Sequence, residues 1–299
     1  MKRNSRLPVL VLTTFCLALA AFCVSGCEKS SYPLPPDDFQ PDPSYGSLFD
    51  ARQAGSIEGQ VIWQGPPPSV PPFHAPVSPR TEQFNRDLFD WPNPNGPQIE
   101  QQTGAVQGAV VFLKEVDPRK AKRWDLDPVL IEVRDYQFHI RQGNQVRQTG
   151  FVRRGDEVIF DSQQEAFHSI HAEGAAFFSL PFADSHVPSK RPLTRAGLIE
   201  LTSGAGYFWM RGYLFVADHP YFARTDSHGR FSLTNVPSGT YELVCWMPNW
   251  HEDRHDRDPE TCCWTRLFFR PTVGLKQSTV VSPLQTTRVS FAISETEFP

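Results

Sequence analysis

Apolar and polar residues alternate over short stretches along almost the whole chain, and clusters of Gly, Pro, Asn and Asp interrupt them. Alternation with a period of two puts one face of an extended segment on a core and the other in water, so it predicts strands. The pattern predicts opening strands at residues 56–63 and 109–113. A second set follows at 129–133, 136–140, 157–160, 167–171 and 197–201, with an aromatic run at 207–216. A third set lies at 230–233, 240–246, 265–269, 278–281 and 288–293. No long segment keeps a helical period, so the chain is expected to be all-β. The Pro-rich stretch 66–97 is too long for a tight turn and is expected to be an exposed excursion.

Residues 205–241 join two patterns. Tyr207, Trp209, Met210, Tyr213, Phe215 and Val216 form the aromatic run, which ends at Asp218-His219-Pro220. After it, Thr225-Asp226-Ser227-His228-Gly229-Arg230-Phe231 and Val236-Pro237-Ser238-Gly239-Thr240-Tyr241 each read as a turn feeding a strand. These two segments match the T-D-x-x-G-x-F and P-x-G-x-Y motifs of the carboxypeptidase regulatory-like family, and the later pattern resembles its transthyretin-like β-sandwiches. The earlier pattern resembles the final strands of cupredoxins, above all the plastocyanin-like and methylamine-utilization-like domains of bacterial envelope proteins. Those run C-x-x-H-x-x-M-x-x-Y and then D-H-P-Y-F. The tail is intact here as Asp218-His219-Pro220-Tyr221-Phe222.

Together the resemblances imply a Greek-key cupredoxin-like sandwich inserted into a transthyretin-like one. The regulatory-like strands would occupy residues 55–127 and 220–299, with the insert at 128–219. Insertion is tolerated where the ends of the insert lie close together.

The N-terminus carries Lys2, Arg3 and Arg6, then an apolar stretch, then Val24-Ser25-Gly26-Cys27. A basic start, a short apolar region and small residues before a cysteine resemble a bacterial lipoprotein signal. Residues 1–26 would be removed, Cys27 would carry the lipid, including palmitate, and residues 27–54 would form a Pro-rich tether. The alternative is an uncleaved anchor, since the apolar stretch is near the lower limit for spanning. Both place the rest of the chain in the cell envelope, membrane-anchored and facing the periplasm or exterior.

Charge narrows the partners. The formal net charge of −4 becomes −7 once Lys2, Arg3 and Arg6 are lost with no acidic residue, and no basic cluster suggests nucleic acid. The aromatic fraction of 12% is more than a disordered chain carries. No nucleophile elbow, H-E-x-x-H, phosphate loop or dinucleotide fingerprint is present, so no enzyme is predicted. An unidentified protein or glycan partner in the envelope is expected, and for glycan Trp91, Trp250 and Trp264 are the candidate platforms. With Cys27 committed to lipid, a disulfide from Cys245 to Cys262 is the default in an oxidising compartment, with a zinc or copper site as the alternative.

The cupredoxin resemblance raises the question of copper. Aligned on Met210, it implies His168 as the first imidazole ligand and Met210 as the axial thioether, but puts Gly204 at the thiolate and Tyr207 at the second imidazole. A blue-copper site needs two imidazoles and a thiolate. No cofactor is therefore expected in the insert. The alternative is a non-blue copper site or a former electron-transfer protein using His168, Met210, His171 and, further off, His186. In residues 250–260, His251 and His255 would share a face were the stretch helical, while the mixed charges read as a solvated loop.

Overall fold

The computed structural model describes residues 39–76, 88–260 and 262–299. The leader, Cys27 and the first part of the tether lie outside the described residues. Regular structure among the described residues is strand, apart from short 3-10 turns at Ala51–Gln53 and Glu295–Glu297. The protein is all-β.

Four sheets pack in layers. A three-stranded sheet orders Arg230–Pro237, Ala54–Trp63 and Thr286–Ile293. Facing it is a four-stranded sheet of Phe222–Arg224, Val110–Leu113, Gly239–Met247 and Val273–Val281. Ile57, Val61, Leu113, Phe231, Leu243 and Phe291 fill the space between them. The second sandwich has two five-stranded sheets. One orders Thr149–Arg153, Arg211–Ala217, Gly197–Ser203, His168–Gly174 and Phe178–Phe182. The other orders Ser189–Pro192, Glu157–Ser162, Val129–Arg134, Gln137–Gln142 and Gln145–Arg147. Ile131, Ile140, Phe160, Ile170, Leu201 and Leu214 make its core. Ala54–Trp63 and Val110–Leu113 thus share sheets with strands after residue 221, and the strands of residues 129–217 build the other sandwich.

A third apolar layer lies where the sandwiches meet. Phe151, Tyr213 and Phe215 on one side pack against Val110, Phe222 and Trp246 on the other. The ring centroids of Phe215 and Trp246 are 5.0 Å apart, with planes at 86°. This layer explains why Arg211–Ala217 lacks alternation. Every residue in it is buried, because the strand has a core on both faces.

The T-D-x-x-G-x-F segment shows why those residue types recur at that spacing. Thr225 Oγ1 donates to the Val106 carbonyl at 2.7 Å and accepts from Ala109 N at 3.0 Å, tying the turn to the neighbouring chain. The Asp226 carboxylate accepts from the backbone of His228 and Arg230, each at 2.8 Å, which lowers its pKa. Gly229 adopts φ +70, and a Cβ there would lie 2.4 Å from the Val61 carbonyl oxygen. Phe231 drops into the core.

Several expectations are corrected. The Pro-rich stretch is not simply an excursion. Its Phe73–Pro76 and Leu88–Trp91 segments form a two-stranded ladder, and Phe73 and Ala75 enter the core of the second sandwich. Residues 77–87 lie outside the described residues. The strand expected at 265–269 does not join the resumed sandwich. As Trp264–Phe269 it pairs with Glu252–Arg257, so the charged stretch is neither loop nor helix. Leu267 of this hairpin also reaches the core of the second sandwich. Strands Ser189–Pro192 and Phe178–Phe182, absent from the sequence-based set, are sheet edges. The first is mostly exposed, and the second carries Pro181, which an edge tolerates.

Candidate functional site

The His168–Gly174 strand alternates between buried and half-exposed residues. His168 therefore faces inward with Ile170 and Ala172, whereas Ser169 and His171 face the other side. His168 is 1% exposed, and both of its ring nitrogens are buried without a hydrogen-bond partner. Its ring sits 5.0 Å from that of Tyr207 and 5.8 Å from that of Tyr136. Burial in this aromatic setting pulls its pKa down to about 4, so the imidazole is neutral at neutral pH.

Met210 is 2% exposed in the same core cluster. The residues just before it form an aromatic box. Tyr207 meets Trp209 edge to face at 5.8 Å, Phe208 meets Trp209 at 5.1 Å, and Trp91 stacks on Trp209 at 4.3 Å. Trp209 Nε1 donates to the Tyr136 carbonyl at 3.0 Å. The box is closed by the Pro-rich segment and the hairpin, through Phe73 and Trp264, both packed against Phe208.

The residues present do not fit a blue-copper centre. Gly204 brings no thiolate, and a side chain there would emerge beside His171 and Ser169. A Cβ would meet His171 Cδ2 at 2.7 Å and Ser169 Oγ at 3.0 Å. That is the face of the strand opposite His168. Tyr207 fills the second imidazole position with a phenol packed on His168. His171 points to the strand face opposite His168, and His186 is exposed on its loop at φ +59. His168 and Met210 are both buried, whereas His171 faces the other side of its strand. No group of three or more His, Cys, Asp or Glu side chains suited to a metal occurs among the described residues.

The remaining candidates are also placed. Cys245 lies 1% exposed in the core of the first sandwich, while Cys262 is exposed, and both are free thiols. The expected bridge between them is not formed, because the side chain of Cys245 faces an apolar interior that Cys262 does not enter. Burial pushes the Cys245 thiol up to about 12. Trp250 packs between Trp63 and Phe298 at 6.0 and 4.4 Å and is 5% exposed, so it offers no open face. Trp91 and Trp264 are committed to the aromatic box. His255 stacks on Trp264 at 4.1 Å, and its Nε2 accepts from Arg257.

No family model and no curated protein matches the chain. Among solved structures it is similar to cupredoxins. An oxidized amicyanin mutant is 12% identical over 36% of this chain and 98% of its own, with a TM-score of 0.25. A purple cupredoxin from Nitrosopumilus maritimus is 12% identical over 30% of this chain and 99% of its own, with a TM-score of 0.24. The copper-containing nitrite reductase of Thermus scotoductus SA-01 is 14% identical over 32% of this chain, with a TM-score of 0.26. The chain spans 24% of that reductase's length. Likenesses at this level say nothing of what the chain binds.

Proposed function

We propose that the chain is a lipid-anchored, non-catalytic protein of the cell envelope, held to the membrane through Cys27. In this reading a regulatory-like sandwich carries a cupredoxin-like insert whose metal position has become packed core, and the assembly serves as a scaffold or interaction module. One observation carries the reading. His168 is sealed between Tyr136 and Tyr207, with Gly204 and His171 on the other face of the sheet. A protein-filled site of this kind stabilises a fold but leaves no open coordination position.

The test is copper retention by the full chain after loading with Cu(I) and Cu(II) and desalting. Retention well below one equivalent is expected. Stoichiometric copper that disappears in His168→Ala or Met210→Ala would overturn the scaffold reading and establish a reduced-ligand copper site.

A further inference from the structure

A cavity of about 420 Å³ opens where the two sandwiches meet, away from the aromatic box's His168. That volume is within the range of roughly 300–1,000 Å³ typical of small-molecule sites. Its walls come from seven separated segments. Residues 92–98 and 107–109 close one side, 137–139 and 146–149 another, and 209–213, 224 and 246–248 the rest.

The charge of this lining is one-sided. Arg147, Arg211, Arg224 and His139 line it, with no Asp or Glu, in a chain whose net charge is −4. Arg147 and Arg224 have no carboxylate partner among the described residues. Arg224 lies over the Phe151 ring at 4.2 Å. Its Nε donates to Thr149 Oγ1 at 2.7 Å, and its Nη2 donates to Gln142 Oε1 at 3.1 Å and to the Thr149 carbonyl, which leaves Nη1 open. Burial, and then the charge of Arg147, lower its pKa to about 10. Half-buried Arg224 and exposed Arg147 thus present like charges to one cavity. Arg211 has its Nη1 3.2 Å from Glu200 Oε1, while its Nε is buried without a partner. Two other lining residues also keep buried, unpartnered nitrogens, His139 at Nε2 and Trp246 at Nε1. Native interiors leave few such groups.

The rest of the lining is also suited to a ligand. Asn95 is 2% exposed, and its amide joins Tyr213 Oη and the Asn249 carbonyl at 3.0 and 2.9 Å, which fixes the 92–98 segment as a wall. The side-chain amides of Gln107, Gln137 and Gln148 bond to no described residue and can donate to or accept from hydroxyls.

We infer that this cavity binds a small polyhydroxylated carboxylate, the chemistry of a sugar acid, with the carboxylate on Arg147 and Arg224 and the hydroxyls on the neighbouring amides. The Nε and Nη2 edge of Arg147 can take a carboxylate in two-point geometry with Nη1 of Arg224 beside it, and neutral amides recognise hydroxyls without adding charge. An anion there would face positive charge from both arginines with no acidic residue in the lining. The inference does not depend on the scaffold reading, since none of its residues belongs to the copper position apart from Met210, which forms part of the wall.

The test is calorimetric titration of the full chain, purified in detergent, with D-glucuronate, D-glucose and sulfate as separate probes. Saturable binding of glucuronate is expected, with glucose and sulfate weaker by about tenfold or more. Arg147→Gln, at an exposed side chain, should weaken glucuronate by about tenfold without unfolding the chain, and Arg224→Gln by more. Absence of saturable glucuronate binding, or binding unchanged in Arg147→Gln, would overturn the assignment. Equal binding of sulfate would overturn the sugar-acid chemistry.

Discussion

Trp91 lies flat on Trp209, with ring centroids 4.3 Å apart and planes only 8° from parallel. Trp91 ends the short ladder of the Pro-rich stretch, and Trp209 lies between Tyr207 and Met210 in the aromatic box. One contact therefore joins the Pro-rich ladder to an aromatic box more than a hundred residues further along the chain. It also holds one wall of the arginine-lined cavity, to which Trp209 belongs.

Replacing Trp91 by Leu should lower stability by about 2 kcal/mol. Roughly 1 kcal/mol comes from the aromatic pair beyond its area and roughly 1 from the bond of Trp91 Nε1 to the Ala75 carbonyl. Urea denaturation checks the size, and loss of the near-ultraviolet circular dichroism of the tryptophan pair checks the cause. A change within a few tenths of wild type would mean that the ladder does not clamp the box.

Acid should unfold the protein through its buried histidines. His168 and His219 both have folded-state pKa values near 4 against about 6.5 in an unfolded chain, in each case because burial disfavours the charged ring. The unfolded state thus binds more protons, so stability is full above about pH 6.5 and falls as pH drops toward 4. By about pH 5 the loss should be about 2 kcal/mol for each histidine. His168→Phe, which suits the aromatic box, should remove one of the two contributions. An equal slope of stability against pH in this variant and wild type would contradict the assignment.

Restoring the missing ligand types should not restore a blue site. A side chain at residue 204 emerges beside His171, on the far side of the strand from His168, so Gly204→Cys with Tyr207→His would not complete a trigonal centre. Copper loading of this double variant should give no intense thiolate-to-copper absorption. Blue colour would show that residue 204 can turn toward His168.

Thiol labelling should separate the cysteines. With its pKa near 12 and its side chain in the core, Cys245 should resist iodoacetamide until the chain is unfolded, while exposed Cys262 reacts in the native state. Peptide mapping by mass spectrometry reads both. Labelling of neither residue before reduction, followed by labelling of both afterwards, would reinstate the bridge.

Where one core dictated the pattern, the sequence was sufficient. Strands such as Ala54–Trp63, Val129–Arg134 and Thr286–Ile293 are legible because alternation records which residues face a core. The turn at Asp226 and Gly229 is legible because only a few residue types satisfy its carboxylate caps and its positive φ. That Gly204 and Tyr207 supply neither a thiolate nor an imidazole was legible too. What the sequence could not express was contact between elements far apart along it. His168 and His171 looked like partners until strand alternation put them on opposite faces. Trp91 and Trp264 looked like open platforms until packing committed them to Trp209 and Phe208. Arg147, Arg211 and Arg224 form no cluster along the chain, and no basic patch could be read from them. They meet because two sandwiches stack through Phe215 and Trp246, and that stacking leaves their guanidinium groups around one cavity. Local patterns record which side of a strand is dry, whereas the convergence of charge on a site depends on how separate sheets pack.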